Sequence, residues 1–441
     1  MREMSYSDAL KEAFDCHLNG NWPRAEELYC KLIAADEANF LPYFGLGTMY
    51  AQHSAPGRAI ALLRKSLELK PDNAEAMLNL AAVYRRLENK DEALKLSHAS
   101  LALERSPLTL SNIAGIHVND GTPLQAIAYA DEALAMLPGF PPAGNHRALG
   151  LLELGRFKEG WAQYESRRGI NGWGVRPYTC PMWSGEKVKT LAISGEQGLG
   201  DEIMFMTALR QVQKWARVVV VECAARLVPL LQNSFPECRF YATYAELAAA
   251  EKPDAWTHMG SMQRWIWPVQ PKAYLRPSTL AMRTSTPRIG WSWRGGTAMT
   301  HERLRNFGLD KWKQMIPEGA DNISLQYGQR EGDAQELGLP HDSAAIADLD
   351  LLAARIKSCD LVVSICNTTI HMAGALGVPC IVLVPSKPAW RYGLTGEKMV
   401  WYESVTMIRQ GKDENWRSVV ERVQQKIADY GVIPRIESAI A

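Results

Sequence analysis

The chain has 441 residues, of which 47% are hydrophobic and 22% charged, and its formal net charge is +1. These values fit a globular protein of about two to four domains and speak against a dedicated nucleic-acid binder or an electrostatic membrane anchor. Eight cysteines, scattered from Cys16 to Cys380 without a C-x-x-C pair, predict reduced thiols rather than a zinc site or a disulfide frame. The opening MREMSYSDAL has no apolar signal core, and Asn367, Thr368 and His371 interrupt the most apolar long stretch. A cytoplasmic protein without a membrane span is expected.

The first 168 residues repeat. Ala13, Gly47, Ala81, Ala114 and Ala148 are spaced 34, 34, 33 and 34 apart, and Ala25, Ala59, Ala93, Ala126 and Gly160 keep the same spacing. Small residues at two fixed positions per unit let paired helices approach closely. Pro71 and Pro138 end repeats, and Gly20 and Gly155 mark turns. The pattern resembles the tetratricopeptide repeat, with LKPDNAEAMLNLAAVYRRLENKDEALKLSHASLAL close to a consensus unit. Four repeats and a fifth that runs into the next region are predicted. Such arrays usually present a binding surface for proteins, and a spacer or dimerisation role is the alternative. Arg85, Arg86, Arg167 and Arg168 are candidates to line the groove or to form solvated faces.

Residues 169–187 lose helical periodicity and predict an ordered junction rich in Gly, Pro and Trp. Val188 to Ser194 is a predicted strand, followed by the loop GEQGLGDE, in which Gly198 and Gly200 predict a backbone nest, and then by an amphipathic helix. The glycines read G-x-x-G-x-G, which is not the dinucleotide fingerprint. Arg217 to Val221 and Arg239 to Tyr241 read as strands flanking a helix from Ala224 to Asn233. The stretch MGSMQRWIWP reads as an aromatic loop.

A second α/β set begins at Pro287 with PRIGWSWRGG, whose end carries Arg294 and two glycines. His301, Arg303 and Arg305 precede a helix expected to be capped near Asp310, and NISLQYG is the next strand and loop. Asp348-Leu349-Asp350 looks like a metal D-x-D but heads a helix, where capping is the favoured role. Leu361 to Ile365, the polar turn Asn367-Thr368-Thr369, the helix to Leu376 and the strand Cys380 to Val384 form a βαβ unit. Its helix start, at the carboxyl end of a strand, favours an anion such as phosphate.

Taken in order, SGEQGLGDEIMFMTALRQV, IGWSWRGG, SLQYG, LAARIKSCDLVVSICNTTIHMAGALGVP and PAWRYG resemble heptosyltransferase-like glycosyltransferases of GT-B fold. They look most like bacterial members in which that region follows tetratricopeptide repeats, a layout that O-GlcNAc transferase shares. The resemblance implies an α plus α/β chain. It comprises a repeat solenoid (1–168), a junction (169–187) and two Rossmann-like halves, acceptor side (188–286) and donor side (287–441). It implies inverting, metal-independent transfer from a nucleotide-diphosphate sugar, with no cofactor. The acceptor is a hydroxyl, on a protein recruited by the repeats or on a glycan or lipopolysaccharide precursor. A non-catalytic scaffold with a degenerate transferase region is the remaining alternative, and a homo-oligomer stays open.

Residue by residue, the resemblance assigns Asp201 as the base that takes the acceptor proton, with Glu202 and Glu196 as fallbacks. Arg294, Asn367, Thr368 and Thr369, with Arg305, match the positions that hold the leaving diphosphate. Gln326 and Tyr327 match the loop meeting base and ribose. His371 matches a family histidine, with an interior structural histidine as the alternative, and Trp390 and Arg391 match a motif of unassigned role. Cys366-Asn367 stands where many heptosyltransferases have Asp-Thr, which argues against a heptose donor.

Overall fold

The structure, a computed structural model, describes residues 5–53, 55–170, 176–281, 285–296, 305–412 and 414–431. The chain forms two compact units, Met1–Leu151 and Leu152–Ala441.

The first unit is the helical repeat solenoid. Its helices pair as α1 (Tyr6–Leu18) with α2 (Trp22–Ala35), α3 (Phe40–Gln52) with α4 (Pro56–Leu69), α5 (Ala74–Arg86) with α6 (Lys90–Leu103), and α7 (Pro107–Asn119) with α8 (Pro123–Met136). A ninth helix, α9, spans Pro141–Glu153, and the next, α10 (Phe157–Gln163), belongs to the second unit. Local chemistry sets these boundaries. Asn39, Asn73, Asn89 and Ser106 accept hydrogen bonds from backbone N–H groups in the first turns of α3, α5, α6 and α7. Proline opens α4, α7 and α8, where its missing N–H costs nothing. The small residues sit where helices touch: Ala13, Ala25, Ala59, Ala93, Ala114 and Ala126 are fully buried. A Cβ on Gly47 would lie 2.9 Å from Leu63 Cγ.

The second unit holds two parallel sheets. The first has the order β3-β2-β1-β4, with β1 Val188–Ser194, β2 Ala216–Glu222, β3 Arg239–Tyr241 and β4 Ala255–His258. The second has the order β6-β5-β7-β8-β9, with β5 Arg288–Ser292, β6 Asp321–Ser324, β7 Leu361–Ile365, β8 Cys380–Val384 and β9 Val405–Arg409. Continuous apolar runs explain β7 and β8, every residue of which is buried. Register follows the pairs Ile289 with Leu361 and Val362 with Cys380.

Several expectations required adjustment. Strand β4 lies in a stretch left unassigned by the sequence, and the aromatic run after it forms short helical turns, Gly260–Met262 and Gln263–Ile266. Strand β9 and the helix Trp416–Asp429 were left unassigned by the sequence reading, although Val419, Val420, Val423 and Ile427 recur at helical spacing and form the buried face of that helix. Gly308, not Asp310, takes the N-cap position of helix Leu309–Met315, without a side-chain bond. Asp348 does cap its helix, accepting from the N–H groups of Asp350 and Leu351. In the junction, Tyr178 stacks on Trp256 with ring centroids 4.7 Å apart.

Candidate functional site

In each sheet two neighbouring strands send their crossovers to opposite sides, and the crevice at their carboxyl ends is where open α/β sheets bind ligands. In the second sheet that crevice lies between β5 and β7. Asn367 caps helix Thr368–Leu376 by accepting from Thr369 N–H at 2.9 Å. Its amide donates to Ser292 Oγ at 2.8 Å and to the Arg294 carbonyl at 3.1 Å. Thr369 Oγ1 donates to the same Ser292 hydroxyl at 3.2 Å. These bonds tie the start of that helix to the end of β5.

The other residues assigned to the donor are similarly engaged. Gln326 Oε1 accepts from the N–H groups of Trp293 and Arg294 at 2.8 and 2.7 Å, so this buried amide staples β5 to the end of β6. Arg294 donates from Nε to Asp333 Oδ2 at 2.9 Å. Arg305 donates to the Cys366 carbonyl at 2.9 Å. Tyr327 is half-buried, its hydroxyl 3.1 Å from where a Cβ on Gly295 would lie. His301 and Arg303 lie outside the described residues.

In the first sheet the crevice lies between β1 and β4, and an ion pair fills it. Arg167, 1% exposed, donates from Nε and Nη2 to Glu196 at 2.8 and 2.6 Å and to Ser261 Oγ at 2.9 Å. Gly260 N–H adds a bond to the same carboxylate at 2.7 Å. Burial alone would raise the Glu196 pKa, but the Arg167 charge outweighs it and lowers the value. Glu202 folds beneath the β1 turn and accepts from Ala224 N–H at 2.9 Å. Burial pushes its pKa up to about 7.

The two glycine-bearing turns do meet. Helix Leu199–Phe205 starts with Gly198 as N-cap, and the left-handed residue of the turn is Gln197 at φ 67°, not a glycine. Gly200 serves close approach: a Cβ there would lie 3.1 Å from His371 Cδ2 and 3.5 Å from Thr368 Oγ1. Asp201, one residue on, accepts a hydrogen bond from Arg391 Nη2. Burial works against the Arg391 charge, and Asp201 more than offsets it, raising the guanidinium pKa. His371 is buried beside Tyr402, with Nδ1 3.3 Å from its hydroxyl. Burial, Arg391 and Arg305 together hold His371 well below its usual pKa, so it is a neutral interior imidazole. The basic residue within PAWRYG was the one sequence signal pointing to Arg391. Among the described residues no cluster of His, Cys, Asp or Glu is placed to hold a metal ion.

Behind Arg391 lies a separate cavity of about 410 Å³, walled by Leu152, Phe157, Trp390, Tyr392 and Trp401. Glu153 lines it, 4% exposed and with Oε1 lacking a hydrogen-bond partner. Burial raises that carboxyl to about 8. No sequence signal marks it, since nothing local distinguishes Glu153 from an exposed helical glutamate.

Residues 50–105 match the tetratricopeptide repeat family model. The N-terminal solenoid is thus tetratricopeptide-like, with residues 50–105 matching the repeat itself. The chain is similar to Protein FlbA of Caulobacter vibrioides, 27% identical over 466 aligned positions that take in 87% of this chain and 78% of FlbA. A shorter match, 30% identical over 96 residues, joins 22% of this chain to 8% of Cellulose synthase operon protein C of Pseudomonas fluorescens. Among solved structures, MamA aligns at a TM-score of 0.33 and 20% identity, over 39% of this chain and 98% of that chain. PilW, a type IV pilus biogenesis factor, aligns at 0.35 and 22%, over 37% and 78%. Scores this low carry no structural argument. No described helix is long and apolar enough to cross a membrane.

Proposed function

We propose that this chain is a tetratricopeptide-repeat scaffold that captures a protein partner, with a sheet region that does not turn over a substrate. Its support is the state of the two crevices. Arg167–Glu196 fills one, the Asn367–Ser292–Thr369 bonds fill the other, and the carboxylate assigned as base is paired with Arg391. With Arg391 donating to it, that carboxylate oxygen is already occupied, and an acceptor hydroxyl would have to displace the guanidinium to reach it.

A second reading, an inverting GT-B glycosyltransferase, is favoured by one observation. Arg305 and Arg391 both act on His371 at the start of helix Thr368–Leu376, and the Gly200 turn abuts that start. Two cations and a helix start suit a leaving diphosphate. Under this reading Asp201 is the base, released when Arg391 turns to the phosphates. The donor is a nucleotide-diphosphate sugar, and the acceptor is a protein or a glycan precursor.

One experiment separates them. The full chain is incubated with UDP-, ADP- and GDP-sugars and a CMP-sugar, and release of free nucleotide is followed alongside binding by calorimetry. The scaffold reading expects no release above the protein-free control. Release that Asp201→Asn abolishes overturns it in favour of the transferase.

A further inference from the structure

The cavity behind Arg391 shares no residue with the bonds that occupy the two crevices, and its lining belongs wholly to the second unit. Glu153, the last residue of α9, brings the C-terminus of that helix to the cavity. The final carbonyls of a helix lack intrahelical partners and carry partial negative charge, which favours a cation nearby. To these Glu153 adds a buried carboxyl whose Oε1 has no hydrogen-bond partner, and no described residue forms an ion pair with it.

Aromatic rings form much of the enclosure. Trp390 and Trp401 stand at 73° to each other with ring centroids 6.3 Å apart, so they make adjoining walls. Tyr392 and Phe157 contribute two more rings. The rim is held in place by Arg409, which donates to the carbonyls of Gly393, Thr395 and Gly396 at 3.0, 3.2 and 2.7 Å. The other charged or titratable groups on the lining are Arg391, Tyr392 and Lys398. Arg391 is paired with Asp201, burial keeps the Tyr392 hydroxyl neutral, and Lys398 is exposed at the mouth. Burial accounts for the raised Glu153 pKa, and neither cation contributes to it.

We infer that this cavity binds a small organic monocation of the alkylammonium class, its charge against Glu153 and its apolar shell against the rings of Trp390, Trp401, Tyr392 and Phe157. The inference goes beyond both readings of the crevices and depends on neither. An ammonium supplies what the site lacks, a counter-charge for a buried carboxylate. Its alkyl groups suit aromatic walls, which also attract positive charge through their π faces. A divalent metal ion is a poorer match, since one carboxylate among rings cannot complete its oxygen shell. A volume of about 410 Å³ falls within the ~300–1,000 Å³ usual for small-ligand pockets. The step also balances its proton. Free Glu153 holds a proton at neutral pH, and the entering cation displaces it to the buffer, leaving a carboxylate–ammonium pair.

The test is titration calorimetry on the full chain with choline, butylammonium and dimethylbutanol, the neutral isostere of choline in which carbon replaces the quaternary nitrogen. At least one of the two cations should bind, and dimethylbutanol should bind about tenfold more weakly than choline or not at all. At pH 7 the heat should depend on the ionisation enthalpy of the buffer, corresponding to release of about one proton per cation bound. Affinity for choline should rise from pH 7 to pH 9, because above the Glu153 pKa no proton has to be displaced. Glu153→Gln should weaken cation binding by about tenfold or more and abolish the proton release. Lys398→Gln, at the exposed mouth, should stay within about twofold.

The buffer and isostere comparisons use the unmodified chain, so they decide the matter even if Glu153→Gln does not fold. Absence of binding by both cations at concentrations on the order of 10 mM overturns the site. So does equal binding of choline and dimethylbutanol, which would make it a neutral apolar pocket. Cation binding without proton release at pH 7, or unchanged in Glu153→Gln, overturns the role of the carboxyl and with it the site. None of these results bears on nucleotide release, so the site and the two readings of the crevices fail separately.

Discussion

Arg391 donates to Asp201 across 190 positions of sequence, joining the turn after β8 to the first turn of helix Leu199–Phe205. Both side chains are largely buried, at 17% and 19% exposure. Removing one partner strands the other, which for such pairs costs about 3 kcal/mol. Asp201→Ala should lower the urea-unfolding free energy by about that amount. Adding Arg391→Met should restore much of it. If the double variant is no more stable than Asp201→Ala, the two residues do not act as a pair.

The Gly200 contact makes a second, steric prediction. A Cβ already lies 3.1 Å from His371 Cδ2, so the branched side chain of Gly200→Val has no room unless the two helices separate. The expected loss is about 1–3 kcal/mol, read as a lower melting temperature. A variant that melts with the wild type shows that the two turns are not in contact.

The Arg167 and Glu196 side chains are almost fully buried, at 1% and 6% exposure, so the pair should behave as core. Arg167→Met leaves Glu196 with only the Gly260 N–H and should destabilise by about 3–5 kcal/mol. The linkage also has a sign. The Glu196 pKa is lowered in the folded state, so its contribution is present above the unfolded carboxyl value and is lost as pH falls through the folded one. Comparing acid unfolding of wild type and Glu196→Gln measures this, and coincident curves refute it.

Glu153 acts in the opposite direction. Its folded value of about 8 lies above the usual 4.5, so the native state holds a proton that the unfolded chain has lost. Stability therefore falls as pH rises between those values, by up to about 1.4 kcal/mol per pH unit. Glu202, raised to about 7, adds to the same slope. Glu153→Gln should match the wild type at pH 5 and exceed it in stability at pH 8. Parallel stability curves across that range would show that the carboxyl is not buried unpaired.

Much of the fold was legible in advance because the relevant signals are local. The spacing of Ala13, Gly47 and Ala81 marks helix contacts one repeat apart, and Asn73 or Asp348 caps a helix through neighbouring atoms. The run Leu361 to Ile365 is buried at every position, and apolar at all but Ser364, because both faces are covered. Strand β4, AWTH, and strand β9, VTMIR, are short and mixed in polarity, and they become strands by pairing with β1 and β8. The site was legible only as residue types: Asn367, Gln326 and Arg294 were found, but not the bonds that engage them.

From sequence alone, the repeat period and the βαβ order were already determined, since both depend on residues a few positions or one helix apart. Which charges are paired was decided by tertiary structure. Arg391 meets Asp201, Arg167 meets Glu196, and among the described residues Arg85 meets no carboxylate, because each outcome depends on how distant crossovers and stacked helices place side chains. Burial then sets the consequence, since the same carboxyl or guanidinium that is unremarkable in water becomes a strong constraint once water is excluded.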